Sequence, residues 1–357
     1  MTVAHPGSLW GPLRDALAGG SCVAPASDAA TLAMLRPELP VAEPDAALIV
    51  ATSGSTGRPK GVVLSRSALA ASASATHDRL GGPGVWHCAL PTTYVAGVMT
   101  LVRAHFAGTE PVLAASDLHD LAPGAGRNYL SLVPTQLHRA LASPDLVATL
   151  ARFTAILLGG AAVDPGMLSR ARASGLNVVI TYGASETCGG CVYDGRPLDG
   201  VRADVTEGRV RLSGPVLFSG YRLEPDATAS ALVGGGFLTS DRGELDAEGR
   251  LRILGRVDDV VISGGVNVDL AAAQRVADAL LGTPEAGGVV LVGVPDADWG
   301  TKVVGLTASA LTTEQVRARL ASGLGREALP REVRRVGALP RTPGGKIDRQ
   351  AIVRSWR

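Results

Sequence analysis

The sequence predicts an α/β fold in which a large N-terminal domain contains layered, mainly parallel sheets and a small α+β domain follows at the C-terminus. Short apolar runs bounded by Gly or Pro recur between residues 46 and 183, and Ala- and Leu-rich stretches at helical spacing separate them. Strands that alternate with helices are typical of a parallel sheet covered by helices. From about residue 208, segments with period-two alternation predict a small β-rich subdomain.

The apolar runs and their flanks predict the individual elements. Strands are expected at residues 45–52, 84–91, 154–162 and 177–183, and helices at 65–75 and 134–142. Further strands are expected at 208–216, 249–257, 289–296 and 332–339, with a capped helix at 312–320. The polar segment Gly255–Asp259 separates two apolar strands, so we place the domain boundary there. Residues 1–256 then form the large domain, whose β-rich part is about 201–256, and residues 257–357 form the small domain.

Composition limits the kind of partner that this protein binds. The chain has 357 residues and is 46% hydrophobic, which suffices for a large core in two or more structural units. The net charge is +1 and the basic residues form no long runs, which argues against a nucleic-acid or strongly anionic-membrane binder. No apolar stretch reaches the roughly 18 residues of a membrane helix, and the N-terminus lacks a secretory pattern. We therefore expect a cytoplasmic protein with small-molecule partners.

The cysteines and lysines give two separate indications. Cys188 and Cys191 have the spacing of half a zinc site, but no second Cys or His pair follows at ligand spacing, so small buried or loop thiols are the better interpretation. Arginine supplies almost all of the positive charge, since the chain has only three lysines. Two of them, Lys60 and Lys346, lie in glycine-rich segments, where a compact charge on a flexible stem suits an anion.

The segment TSGSTGRPKG at residues 52–61 predicts a polyphosphate-binding loop. It follows an apolar strand and precedes a helix that begins near Ser65, so backbone N–H groups and hydroxyls converge where glycines let an anion approach. A Walker A loop does not fit, because Pro59 stands where that pattern requires glycine, and an exposed linker is the weaker alternative. The expected contacts are Thr52, Ser53, Gly54, Ser55, Thr56, Gly57 and Lys60.

Four later motifs accompany this loop. They are YGASET at Tyr182–Thr187, TSDRGE at Thr239–Glu244, GRVDD at Gly255–Asp259 with SGG at Ser263–Gly265, and RTPGGKID at Arg341–Asp348. In this order, the five motifs resemble those of the acyl-adenylate-forming superfamily, which includes acyl- and aryl-CoA ligases. The resemblance implies an enzyme that uses ATP and Mg²⁺ to activate a carboxylate, with a mobile C-terminal domain.

The resemblance implies roles for the matching residues. Glu186 would be a Mg²⁺ ligand, which suits a hard carboxylate oxygen beside phosphates. The implied nucleotide contacts are Tyr182 for adenine, Ser185 for the α-phosphate, Asp241 and Arg256 for the ribose, and the glycines Gly160 and Gly183. Turn or cap duty is the alternative for Glu186 and Asp241.

The resemblance also implies two half-reactions. Lys346 would contact the carboxylate and the α-phosphate during adenylation, and would leave when the small domain rotates about Asp258. The rotated domain would then serve thioester formation with CoA. Lys302 is a candidate contact for a CoA phosphate, although a solvated side chain is the favoured interpretation.

Three less general segments narrow the resemblance to a subfamily. They are residues 131–137, 157–162 and 190–201, which are most similar to o-succinylbenzoate–CoA ligases of menaquinone biosynthesis. The implied acyl pocket includes Gly159, Gly160 and Arg103, with Arg103 binding the ring carboxylate as a fork, and a solvated or packing role is its alternative. Tyr94 stands where the family often has histidine, so the acyl contacts are expected to differ there.

Two other function classes stay open at this point. One is a different aryl- or acyl-CoA ligase, or a stand-alone adenylation enzyme that loads a carrier protein. The other is a non-catalytic nucleotide- or acyl-binding homologue, which the presence of both Lys346 and Glu186 disfavours, since a pure binder needs neither. A homodimer is compatible with the sequence, which does not fix the oligomeric state.

Overall fold

The computed structural model describes residues 1–26, 28–43, 45–52, 59–342 and 346–356. The chain divides into two compact units. Unit 1 comprises Met1–Thr239 and Leu245–Arg252, and unit 2 comprises Ser240–Glu244 and Ile253–Arg357. The chain leaves unit 1 for the last time after Arg252. The boundary expected after residue 256 therefore lies a few residues inside unit 2.

The structure contains each strand and helix that the sequence predicts, together with elements that it does not predict. The strands that begin in unit 1 are β1 Thr2–Ala4, β2 Val23–Pro25, β3 Ala46–Thr52, β4 Lys60–Ser65, β5 Val85–Cys88, β6 Val112–Leu113, β7 Asn128–Leu132, β8 Ala155–Leu158, β9 Val178–Ala184, β10 Gly189–Tyr193, β11 Arg196–Pro197, β12 Arg202–Thr206, β13 Arg209–Ser213, β14 Gly220–Tyr221, β15 Leu232–Val233, β16 Gly236–Leu245 and β17 Leu251–Arg256. The helices of unit 1 are α1 Trp10–Leu17, α2 Ala29–Leu35, α3 Arg66–Leu80, α4 Val95–Phe106, α5 Pro134–Ala140, α6 Pro144–Leu150, α7 Pro165–Ala173 and α8 Pro225–Ala231.

The largest sheet in the described part of unit 1 is mainly parallel. Its strand order is β11-β10-β9-β8-β7-β5-β6, in which β9, β8, β7, β5 and β6 are parallel neighbours, and β10 pairs antiparallel with both β9 and β11. All residues of β7 and β8 are buried, as expected for strands covered on both faces. Residues of α5, α6 and α7 pack on one face, and residues of α3 and α4 pack on the other. The prediction of layered, mainly parallel sheets is confirmed.

A second sheet of unit 1 has the order β1-β2-β3-β4-β14 and carries the predicted phosphate loop. Residues of α1, α3 and α4 pack against β3 and β4, so α3 and α4 contribute to the cores beneath both sheets. This position explains why α3 buries small side chains around much of its circumference. The helix begins where Ser65 Oγ accepts a hydrogen bond from Ala68 N at 3.0 Å, and it ends at Gly81 with φ +89°.

The remaining sheets include the predicted β-rich part and the sheet of unit 2. The β-rich sheet has the order β12-β13-β16-β15, with β17 paired to β16. The further elements of unit 2 are β18 Val260–Ser263, β19 Val266–Asp269, α9 Leu270–Leu281, β20 Val290–Asp296, β21 Gly300–Thr307, α10 Thr313–Leu320, β22 Val333–Arg335 and α11 Arg349–Arg354. Residues of α9 and α10 pack on one face of the sheet β19-β18-β21-β20, and Ile352 of α11 packs on the other. The expected α+β pattern is confirmed.

The cysteines are buried thiols, as the sequence analysis favours. Cys22, Cys88, Cys188 and Cys191 are all buried and unpaired, and burial raises the pKa of each. In the described ranges, no group of three or more His, Cys, Asp or Glu side chains could hold a metal ion. A search of those ranges also finds no helix with the length and apolar character that a membrane span requires.

Arg222 fixes the N-terminal segment of unit 1 to the edge of the second sheet. The residue is 5% exposed, and its guanidinium donates to the carbonyl oxygens of Leu35, Arg36, Leu39 and Pro40 at 3.2, 3.2, 2.7 and 2.6 Å. Its backbone N donates to Gly61 O at 2.7 Å. These carbonyls belong to the last residue of α2 and to the loop after it. The buried guanidinium therefore donates to acceptors that have no partner within a strand or helix.

We expect Arg222→Met to lower the free energy of unfolding of unit 1 by about 3 kcal/mol, because several backbone acceptors lose charged donors at once. Urea titration with tryptophan fluorescence measures the change. The matched control is Arg202→Met, since the Arg202 side chain is 76% exposed, and it should change stability by less than about 0.5 kcal/mol. Equal effects of the two substitutions would contradict a structural role for the Arg222 hydrogen bonds.

Candidate active site

Four of the predicted nucleotide and acyl contacts of unit 1 lie at the carboxyl ends of neighbouring parallel strands. Gly159 and Gly160 follow β8, and Tyr182 and Gly183 lie near the end of the adjacent strand β9. This edge of a parallel sheet is where ligands bind in α/β folds. A Cβ on Gly159 would lie 2.4 Å from Thr181 Oγ1, so a larger residue there would displace β9.

The chain then reverses tightly between β9 and β10. Gly183 pairs with Gly190 across the two strands, and a Cβ on Gly183 would lie 2.0 Å from Gly189 O. Inside the reversal, Thr187 Oγ1 accepts from Ala184 N at 2.9 Å and donates to Gly189 O at 2.8 Å. The residues Ser185–Thr187 form a short 3-10 helix, which presents Ser185 and Glu186 at the end of β9.

Glu186, the expected Mg²⁺ ligand, is a buried carboxylate with a phenol partner. It is 9% exposed, and its Oε1 accepts a hydrogen bond from Tyr221 Oη at 2.7 Å. Burial and the neighbouring carboxylate charge raise the pKa of Tyr221, so the phenol stays protonated and donates. The backbone O of Glu186 accepts from Phe218 N at 2.8 Å, which ties the 3-10 helix to the segment before β14.

The expected phosphate loop starts and ends on one hairpin. Thr52, the last residue of β3, pairs with Lys60, the first residue of β4. Lys60 is partly buried, and its Nζ lies 4.5 Å from the centre of the Tyr221 ring. The other expected contacts of the loop lie outside the described residues; they are Ser53, Gly54, Ser55, Thr56 and Gly57.

Tyr221 is a candidate site residue that the sequence analysis missed. It lies on the two-residue strand β14, whose pairing with Val62 of β4 brings it beside both Lys60 and Glu186. The paired strands β14 and β4 are far apart in the chain, and β14 has only two residues. Two residues are too few to show the alternation that predicts a strand. The sequence offers as a hint only that a tyrosine and an arginine follow Gly220 directly.

Tyr94 and Arg103 lie at the two ends of the helix expected to line the acyl pocket. Tyr94 is the N-cap of α4 and is partly buried, and burial and the charge of Asp28 raise its pKa. Val95 and Met99 face Gly189, with side-chain carbons 3.8 and 3.7 Å from the position of an added Cβ. Arg103 continues the same stripe, because residues four apart lie on one helix face.

Arg103 is a buried cation, so the alternative of a solvated helix residue is wrong. It is 3% exposed, and its guanidinium carbon lies 5.1 Å from the centre of the Trp86 ring. Its Nε has no hydrogen-bond partner among the described residues. Burial and the Arg103 charge lower the pKa of His77 to about 4, and Trp86 Nε1 donates to His77 Nε2 at 3.1 Å. A packing stem and an anion contact are the two interpretations that stand.

The remaining predicted site residues belong to unit 2. Arg256 at the end of β17 reaches Asp241 of β16 at 3.4 Å and Asp258 at 3.0 Å. The structure therefore brings the two expected ribose contacts together beside the expected hinge residue. Desolvation and the charge of Arg256 lower the pKa of Lys346, and Asp241 opposes this change. Lys302 forms an ion pair with Asp296 at 3.0 Å.

Two family models match this chain, and several known proteins are similar to it. The family described as AMP-binding enzyme matches residues 13–221, and the family described as AMP-binding enzyme C-terminal domain matches residues 275–346. A probable 2-succinylbenzoate–CoA ligase of Mycobacterium tuberculosis is 44% identical over 87% of this chain and 85% of its own length. A 2-succinylbenzoate–CoA ligase of Enterococcus faecalis is 29% identical over 87% of this chain and 70% of its own length. The crystal structure of ATP-bound MatB from Rhodopseudomonas palustris superposes with a TM-score of 0.76 at 29% identity, over 87% of this chain and 68% of that one.

Proposed function

Because the chain belongs to the AMP-binding enzyme family, we propose that it is an ATP-dependent acid–thiol ligase that converts o-succinylbenzoate to o-succinylbenzoyl-CoA, a step of menaquinone biosynthesis. The observation that carries this proposal is the 44% identity to a probable 2-succinylbenzoate–CoA ligase over most of both chains. The enzyme would work in the cytoplasm, where ATP and CoA are available. A homodimer stays a prediction.

The proposed reaction has two steps. First, a carboxylate oxygen of the substrate bonds to the α-phosphorus of ATP, and the bond to diphosphate breaks. Then the CoA sulfur attacks the acyl carbon, AMP leaves, and the thiol proton is released. Positioning the reactants and offsetting the negative charge supply most of the acceleration that such a site can provide.

The residues of unit 1 suit the phosphates of ATP. Lys60 and Thr52 flank the loop for the β- and γ-phosphates, and Ser185 offers a hydroxyl to the α-phosphate. Glu186 fits a Mg²⁺ site, because it is a hard, buried ligand whose Oε1 is already fixed by a phenol donor. Bound Mg²⁺ would offset the charge of the departing diphosphate. Tyr182 would stack on adenine beside Gly160 and Gly183.

The residues of unit 2 suit the ribose and the reacting groups. Asp241 would accept hydrogen bonds from the ribose hydroxyls, and Arg256, which already contacts Asp241, would hold its position. Lys346 would offset the charge that develops on the carboxylate and the α-phosphate. Asp258 would act as the hinge whose backbone rotation separates adenylation from thioester formation.

Arg103 supports the choice of a substrate with a second carboxylate. Its guanidinium is buried next to a neutral imidazole, and its Nε has no hydrogen-bond partner among the described residues. A buried cation in such surroundings favours an anion with two acceptor oxygens. The succinyl carboxylate must be activated, so the ring carboxylate is the group that Arg103 would bind. Tyr94, Gly159 and Gly160 would line the rest of the acyl pocket.

A diphosphate-release assay with CoA and a panel of carboxylates tests the proposal. We expect the highest kcat/KM with o-succinylbenzoate, and a CoA thioester of matching mass. A better aryl or fatty acid substrate would redirect the assignment to another CoA ligase. Release of diphosphate without a thioester would indicate an enzyme that loads a carrier protein, and nucleotide binding without diphosphate release would contradict catalysis altogether.

Lys346→Ala should slow acyl-adenylate formation on the order of 100-fold or more, because a cation that stabilises that transition state is lost. Thioester formation from preformed acyl-adenylate should be nearly unchanged. Rapid-quench measurements of the two half-reactions separate the effects. Arg335→Ala is the control, since Arg335 is an exposed cation of the same unit. Equal losses in both half-reactions would contradict the assigned role.

Arg103→Ala should reduce kcat/KM for o-succinylbenzoate roughly 30-fold or more, which corresponds to about 2 kcal/mol of transition-state stabilisation. The value of kcat/KM for an analogue without the ring carboxylate should change little. Arg103→Met keeps the apolar stem and should cause the same selective loss. If Arg103→Met behaves like the unsubstituted enzyme while Arg103→Ala is impaired with both substrates, Arg103 is a packing stem and the ring carboxylate has another partner.

A further inference from the structure

Tyr221 contacts both charged groups that flank the expected position of the ATP phosphates. Its hydroxyl donates to Glu186 Oε1 at 2.7 Å, and its ring face lies 4.5 Å from Lys60 Nζ. A phenol can hold an anion at its hydroxyl and a cation at its ring face at the same time, because the ring carries a negative face. We call these three side chains the Lys60–Tyr221–Glu186 cluster.

Backbone contacts on both sides hold Tyr221 in place. Its N donates to Thr228 Oγ1 at 2.8 Å, and its ring packs against Phe218 with 4.9 Å between ring centres. The next residue, Arg222, bonds to Gly61 O and to the carbonyls after α2. Tyr221 is therefore fixed relative to the backbone of Lys60, so its hydroxyl can define the position of a neighbouring side chain.

The cluster also separates two opposite charges. Among the described residues, Lys60 and Glu186 form no ion pair with each other, and each contacts Tyr221 instead. A direct ion pair would occupy the Lys60 donors that phosphate needs and the carboxylate oxygen that a metal ion needs. A phenol that donates a single hydrogen bond leaves the second carboxylate oxygen of Glu186 with its acceptor capacity.

We infer that Tyr221 is a positioning residue for the adenylation step, which orients the Glu186 carboxylate toward the metal–nucleotide and keeps Lys60 available to phosphate. This inference rests on the proposed function. In this role Tyr221 acts through Glu186 and Lys60, the two charged side chains that it contacts. Residues that orient a metal ligand in this way contribute about 10- to 100-fold to metal affinity or activity.

Tyr221→Phe tests the hydroxyl while the ring is retained. We expect the apparent Mg²⁺ affinity in adenylation to weaken about 10-fold or more, with thioester formation from preformed acyl-adenylate changed less than about 2-fold. Electron paramagnetic resonance of Mn²⁺ bound with a non-hydrolysable ATP analogue supplies a second readout that needs no turnover, and the same weakening is expected there.

The matched control is Tyr193→Phe. Tyr193 is also buried, and its hydroxyl bonds to Thr76 Oγ1 at 3.1 Å. Tyr193→Phe should therefore leave Mn²⁺ binding unchanged. An equal loss in both variants, or wild-type Mn²⁺ binding in Tyr221→Phe, would overturn the inference. The Mn²⁺ measurement contains no carboxylate substrate, so an error in the proposed acyl substrate would appear in the diphosphate-release assay and not here.

A double-mutant cycle with Glu186→Gln decides whether Tyr221 acts through the carboxylate. In the Glu186→Gln background, Tyr221→Phe should change adenylation by less than about 2-fold, because the residue it positions has already lost its charge. Multiplicative losses of the two substitutions would overturn the inference. The cycle also identifies a Tyr221→Phe variant that is merely less stable. A general loss of folded protein would reduce adenylation in both backgrounds, whereas a loss that depends on Glu186 would not.

Discussion

The close approach of β9 and β10 at Gly183 determines where the polar groups of unit 1 lie. The two backbones come so near that no side chain fits at Gly183, and Thr187 satisfies the backbone groups inside the reversal. The chain therefore turns within one 3-10 helix, and Glu186 emerges at the carboxyl edge of the parallel sheet. A wider connection would move Glu186 away from Tyr221, because the hydrogen bond between them depends on this position.

Two buried arginines of unit 1 differ in how the protein satisfies their hydrogen-bond donors. Arg222 donates to several carbonyl oxygens, so its charge is satisfied by the protein itself. Arg103 is even more deeply buried, yet its Nε has no partner among the described residues, and its guanidinium lies over the indole ring of Trp86. An unsatisfied buried cation is costly, so a fold retains it more readily where a ligand completes its hydrogen bonds.

The tryptophan and histidine beside Arg103 show why the surroundings of this side chain could not be predicted from residue spacing alone. Trp86 lies on β5 and His77 on α3, and only packing between the sheet and the helix brings them to Arg103. His77 stays neutral because it is buried next to a cation, which lowers its pKa. The resemblance to the subfamily marks Arg103 as a candidate, but its apolar neighbours on the helix left a packing role equally open.

The sequence by itself determined the alternation of strands and helices, the order of the five motifs and the identity of most candidate groups. These features are local, since hydrophobic period, caps and glycine-rich turns act within a few residues. The tertiary structure decided the partners: Tyr221 lies 35 residues after Glu186, and Lys60 precedes both by more than a hundred, yet the pairing of β14 with β4 joins all three. Strand pairing between distant segments depends on the packing of the whole unit, so no local pattern encodes it.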